Sequence, residues 1–113
     1  MTTLNLFDPP PKYFLPLSKG GDLSVDFRNN PSNDDATFVD YDSGVTVTLV
    51  IDTDPVISAP ATITTYHAYV KVESTVADAI AANVSWRLIV STPTSPTTET
   101  VAANGKTKRF DGA

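Results

Sequence analysis

The chain has 113 residues, 41% of them apolar and 19% charged, with eight basic against thirteen acidic residues, a net charge of −5 and no cysteine. One domain with one core is expected at that length, while disulfide frameworks, thiolate metal sites and cysteine nucleophiles are excluded outright. The acidic balance repels nucleic-acid backbones and anionic lipid, and no apolar run approaches the roughly 18 residues of a spanning helix.

Sixteen Thr, twelve Val and five Ile make 33 β-branched residues of 113, and nine Pro with five Gly interrupt the chain often. That mixture favours strands and turns over helices. The opening Met1-Thr2-Thr3-Leu4-Asn5 has neither a basic segment nor a continuous apolar one, so no signal peptide is expected.

From Leu4 to Leu17, seven large apolar residues surround the triplet Pro9-Pro10-Pro11. Consecutive prolines fix φ and remove backbone donors, so residues 1–17 read as an extended arm with no hairpin of its own. Such an arm docks either across its own domain or on a neighbour, and deletion of residues 1–17 is expected to leave a folded sandwich over 18–113.

Lys19-Gly20-Gly21-Asp22 is a turn, after which Leu23, Val25 and Phe27 alternate with polar residues as a half-buried strand. A polar loop over 29–35 leads to Phe38–Tyr41 and a turn at Asp42-Ser43-Gly44. Val45, Val47, Leu49 and Ile51 then alternate with Thr46, Thr48 and Val50, the clearest period of two in the chain. Beyond the turn at Asp52-Thr53-Asp54-Pro55, Tyr66, Ala68, Val70 and Val72 face one way and Thr65, His67, Tyr69, Lys71 and Glu73 the other. Thr75 and Asp78 have capping-box spacing and Val76 and Ile80 form an i, i+4 pair, which predicts one short helix over 76–82. Val84, Trp86, Leu88 and Val90 point inward from the next strand, with Trp86 as core centre. Asn104-Gly105 signals a two-residue hairpin; alternatively one strand runs through it and the glycine marks a bulge.

About seven short strands and one short helix predict an all-β fold, an antiparallel β-sandwich of immunoglobulin-like size carrying the N-terminal arm.

Chemistry is sparse. The single histidine, His67, has no nucleophile elbow to serve, and one histidine without cysteine leaves no ordinary zinc or copper site, so neither catalytic residues, metal nor cofactor is expected. Asp34, Asp35, Asp40, Asp42, Asp52 and Asp54 crowd within 21 positions, and fragments such as Asp40-Tyr41-Asp42-Ser43-Gly44 resemble parts of calcium loops without completing one. Solvated turn aspartates are the expectation. Lys106, Lys108 and Arg109 gather the opposite sign near the C-terminus. An acidic middle and a basic end suit head-to-tail contacts between copies, and a basic edge strand equally guards against aggregation. The expected contact residues are Leu6, Phe7, Pro9, Pro10, Pro11, Tyr13 and Phe14 of the arm, with Lys106, Lys108 and Arg109.

Pro9-Pro10-Pro11-Lys12-Tyr13-Phe14-Leu15-Pro16-Leu17 with Lys19-Gly20-Gly21-Asp22, and Trp86-Arg87-Leu88-Ile89-Val90 with the stretch from Gly105 to Gly112, resemble the LtfC-like β-sandwich domain of tailed phages of actinobacteria. Leu23 stands where that family carries an aromatic. The resemblance implies a non-enzymatic virion structural protein, made in the bacterial host and present in several copies. A minor tail component packing against other virion proteins is the leading expectation. Capsid decoration on the major capsid protein is the alternative, and a carbohydrate-binding module for host-surface glycan, using Tyr41, Tyr66 and Tyr69, is a third. Nucleic acid and membrane are not expected partners.

Overall fold

The computed structural model describes residues 2–7, 11–30, 38–94 and 98–110. Two sheets pack face to face. One contains β1 (Thr2–Leu6), β3 (Leu23–Asn29), β7 (His67–Val72) and β6 (Thr62–Thr64), in the order β1-β3-β7-β6. The other contains β2 (Lys12–Leu17), β9 (Thr98–Arg109), β8 (Ser85–Thr92), β4 (Thr46–Ile51) and β5 (Ile57–Pro60), in the order β2-β9-β8-β4-β5. The β-sandwich expected from composition is therefore present, and the alternating residues of β3, β4, β7 and β8 line its core as their period requires. Val25, Phe27, Leu49, Ala68, Val70 and Leu88 are completely inaccessible to solvent.

The N-terminal segment is extended as expected, and of the two dockings left open it takes its own domain, as two strands of the sandwich rather than as an appended arm. β1 pairs in parallel with β3, and β2 pairs in parallel with β9, so the chain crosses from one sheet to the other within its first 17 residues. Consecutive prolines in the sequence between them disfavour a tight antiparallel hairpin, and β1 and β2 pair with β3 and β9 rather than with each other. The segment's apolar residues then complete the core: Leu6, Leu15 and Leu17 are 5%, 0% and 2% exposed. Tyr13 of β2 also ties the sheets together, its hydroxyl donating to the Asn5 carbonyl of β1 at 2.7 Å.

The helix is shorter and earlier than expected. α1 spans Ser74–Ala77, and the Thr75 to Asp78 capping box does not form. Instead the Ser74 amide donates to Asp22 Oδ1 at 2.8 Å, and Asp78 Oδ1 accepts from the Gly20 amide at 2.9 Å. The turn before β3 thus supplies the cap, a partner 52 residues away that local spacing cannot reveal.

At Asn104-Gly105 the alternative of one continuous strand holds and the hairpin does not form, although the glycine is not the bulge. β9 runs through it, and the irregularity in its ladder lies at Ala102, between the pairs Leu88 with Ala103 and Ile89 with Val101. Gly105 is opposite Trp86, with φ of 155°, and a Cβ there would overlap the Tyr13 carbonyl of β2. That carbonyl also accepts the Trp86 indole N–H at 3.1 Å. The glycine is needed for close approach of two backbones rather than for a turn. Gly105→Ala is accordingly expected to lose about 3 kcal/mol, combining the steric overlap with an unfavourable φ. Gly20→Ala, at a positive φ of 80° with no atom within 4 Å, should lose only about 1 kcal/mol. Equal urea midpoints for the two variants would contradict the close-approach role.

Candidate interaction surfaces

Because Leu15 and Leu17 face inward, the period of two turns Lys12, Phe14 and Pro16 outward on β2, which is an edge strand. Phe14 is 61% exposed. Parallel pairing sets it opposite Lys106 and sets Pro16 opposite Lys108. The Lys108 ammonium lies 5.4 Å from the ring centroids of both Phe14 and Phe110. Phe110 is itself 56% exposed, so two aromatic rings with a cation between them stand out from one edge. Phe110 was absent from the expected contact residues, although it continues the outward phase of Lys106 and Lys108.

The other expected contact residues are placed differently. Leu6 and Pro11 are buried, and Tyr13 is half-buried with its hydroxyl engaged between the sheets. Arg109 turns to α1, where its Nη1 donates to the carbonyls of Ile80 at 2.6 Å and Ala77 at 3.2 Å, capping the helix exit. Lys106 Nζ donates to Ser85 Oγ at 2.7 Å. Pro9 and Pro10 lie outside the described residues. Phe7 lines a different feature, a cleft at the opposite end of β9.

That cleft has a volume of 480 Å³. Leu6, Phe7, Val45, Val90 and Val101 form apolar walls, and Asp40 and Asp42 stand at its rim, both exposed. The acidic cluster is split by this arrangement. Asp40 and Asp42 precede β4 whereas Asp52 and Asp54 follow it, about 17 Å away at the rise of an extended strand. Asp52 instead accepts from Arg87 Nη1 at 2.6 Å. No group of three or more metal-ligating side chains converges among the described residues, and Asp34 and Asp35 lie outside them.

His67 belongs to a column on the outer face of the four-stranded sheet. Its Nδ1 is 2.7 Å from Asp26 Oδ2, its ring tilts against Tyr66 with centroids 4.2 Å apart, and Tyr66 stacks at 4.6 Å on Phe38. The Arg28 guanidinium covers Phe38 at 4.9 Å. Asp26 is the only hydrogen-bond partner of the imidazole among the described residues, and no serine hydroxyl joins the pair to make a triad. Tyr66 has a ring on either side, and Tyr69 reaches Ser24 Oγ at 3.4 Å. Tyr41 donates its hydroxyl to the Phe27 carbonyl at 2.9 Å. The three tyrosines considered for sugar stacking therefore make contacts within the domain.

Burial raises the Tyr41 pKa well above the ordinary value of 10, and the nearby Asp26 charge raises it further. A phenol held neutral by the fold stabilises fully below the unfolded pKa. That contribution diminishes as pH rises past about 10, where the unfolded side chain ionises first. Tyr41→Phe should lose about 1 kcal/mol at neutral pH through the missing hydrogen bond, and its stability should fall less steeply between about pH 10 and 11. Urea titrations at both pH values check this, and parallel declines in the two proteins would refute it.

Comparison with known proteins agrees with this architecture. A family model described as "LtfC-like, beta-sandwich domain" matches residues 9–110. Among solved structures, the "N-terminal domain of phage TP901-1 ORF48" superposes with a TM-score of 0.65 over 96% of each chain at 6% sequence identity. At that identity the likeness is one of fold. No curated protein matches by sequence. With the family match spanning nearly the whole sandwich, the chain belongs to the LtfC-like β-sandwich domain family.

Proposed function

We propose that this domain is a non-enzymatic structural protein of a phage virion, associated with the tail and packed in several copies against other virion proteins. The observation that carries the reading is the exposed edge of Phe14, Lys108 and Phe110, an apolar and cationic surface suited to a protein partner. The family supports it, as does a fold shared with a domain of a phage protein over 96% of both chains. A catalytic role is disfavoured because His67 is paired with Asp26 against a column of aromatic rings, and no serine or threonine hydroxyl hydrogen-bonds the imidazole among the described residues.

Quantitative mass spectrometry of purified particles tests the reading. A few to a few tens of copies per virion are expected. Hundreds of copies tracking the major capsid protein would make the domain a decoration protein, and its absence from particles would overturn the virion assignment.

A further inference from the structure

We propose that this domain associates head to tail with a second copy of itself, the Phe14, Lys108 and Phe110 edge of one copy seating in the acidic-rimmed cleft of the next. Each surface has what the other lacks. The edge offers exposed rings around an ammonium, while the cleft offers apolar walls beneath two exposed carboxylates, Asp40 and Asp42. Among the described residues, six large apolar side chains are at least 40% exposed. Four of them fall at these two sites: Phe14 and Phe110 on the edge, Val39 and Val101 at the cleft. Unpartnered apolar surface is thus concentrated at the two places where opposite charges accompany it.

The geometry makes the contact intermolecular. Val101 of the cleft and Lys108 of the edge lie on the same strand, β9, seven residues apart, or about 23 Å along an extended chain. A copy therefore cannot place its own edge in its own cleft. Since two different surfaces meet, the contact is heterologous, and repetition produces a ring or an open chain rather than a closed two-fold dimer. Copies carrying a net charge of −5 repel one another at long range. Lys12, Lys106 and Lys108 along the β2 and β9 edge provide the local cationic surface that can meet the acidic rim.

This inference deepens the structural-protein reading by naming a partner, and the two can fail separately. A strictly monomeric protein that still enters virions would refute this proposal alone. A self-associating protein absent from virions would refute only the earlier one.

Sedimentation velocity on the full chain provides the test, run from about 10 μM to about 1 mM at low and high salt. The weight-average mass of the natural protein should rise above the 12.1 kDa monomer with concentration, and rise less at high salt. Phe14→Glu and the double variant Asp40→Lys with Asp42→Lys should each remain monomeric, with unchanged circular dichroism because all three positions are exposed. Mixed in equal amounts, these variants retain one intact cleft and one intact edge. They should form a species of twice the monomer mass and nothing larger. Lys108→Glu and Val101→Glu are second variants for edge and cleft should either first choice fail to fold. A natural protein that stays monomeric throughout would overturn the proposal and assign the cleft to a different chain. Association untouched by both variants, or a mixture that remains monomeric, would overturn it as well.

Discussion

Deletion of residues 1–17 is expected to abolish cooperative folding. The deletion removes β1 from one sheet and β2 from the other, and with them Leu6, Leu15 and Leu17 of the core. Three buried leucines are worth about 5 to 9 kcal/mol of transfer free energy, comparable to the whole stability of a typical domain of about 5 to 15 kcal/mol. Exposed faces on Trp86 and Gly105 would add to the loss, because the Tyr13 backbone that covers them leaves with β2. A shorter deletion of residues 1–7 takes only β1, with one buried leucine. It should leave a folded but less stable protein. Thermal unfolding followed by circular dichroism separates the two cases, and a cooperative transition for the longer deletion within a few degrees of the full chain would show that β2 is dispensable.

Trp86→Ala should lose about 3 to 5 kcal/mol, the cost of emptying a large aromatic site. Trp86 is 2% exposed and tilts against Phe27 from the facing sheet, with ring centroids 6.0 Å apart. The same indole donates to the Tyr13 carbonyl, so one side chain joins β8, β2 and the opposing layer. Trp86→Phe keeps most of the apolar contact and removes the donor, and should lose about 1 to 2 kcal/mol. Urea denaturation measures both. A midpoint for Trp86→Ala equal to that of the unaltered chain would mean that the indole does not occupy the core.

The strands that were legible in advance are those whose burial follows from alternation alone. Val47, Leu49 and Ile51, Val70 and Val72, and Trp86 and Leu88 lie inside as their spacing requires, whereas Val45, Tyr66, Val84 and Val90, at the ends of the same inward phases, are only half-buried. Misreadings occurred where one residue type satisfies two physical demands. Glycine after asparagine suits a hairpin, and it equally suits a backbone that must pass against another, which is its use at Gly105. Arg109 appeared available as surface charge, yet it reaches helix carbonyls about 30 residues earlier in the chain. The acidic run from 34 to 54 looked continuous in sequence, but β4 carries its second pair of aspartates to the other end of the sheet. The exposed edge was half legible: Phe14 and Lys108 were among the expected contacts, while Phe110 and the cleft were not.

By itself the amino-acid sequence determined the β class, the single core, the inward faces of the central strands and the lack of a hairpin in the proline-rich segment. These are consequences of short-range sterics and of a period of two, and both are written in neighbouring residues. Only the tertiary structure decided that the first 17 residues complete both sheets, that Asp22 caps α1, and that an aromatic edge and an acidic-rimmed cleft occupy opposite ends of β9. Each of those depends on which strands become neighbours. That choice is made by the packing of surfaces far apart in sequence, where local preference carries no information.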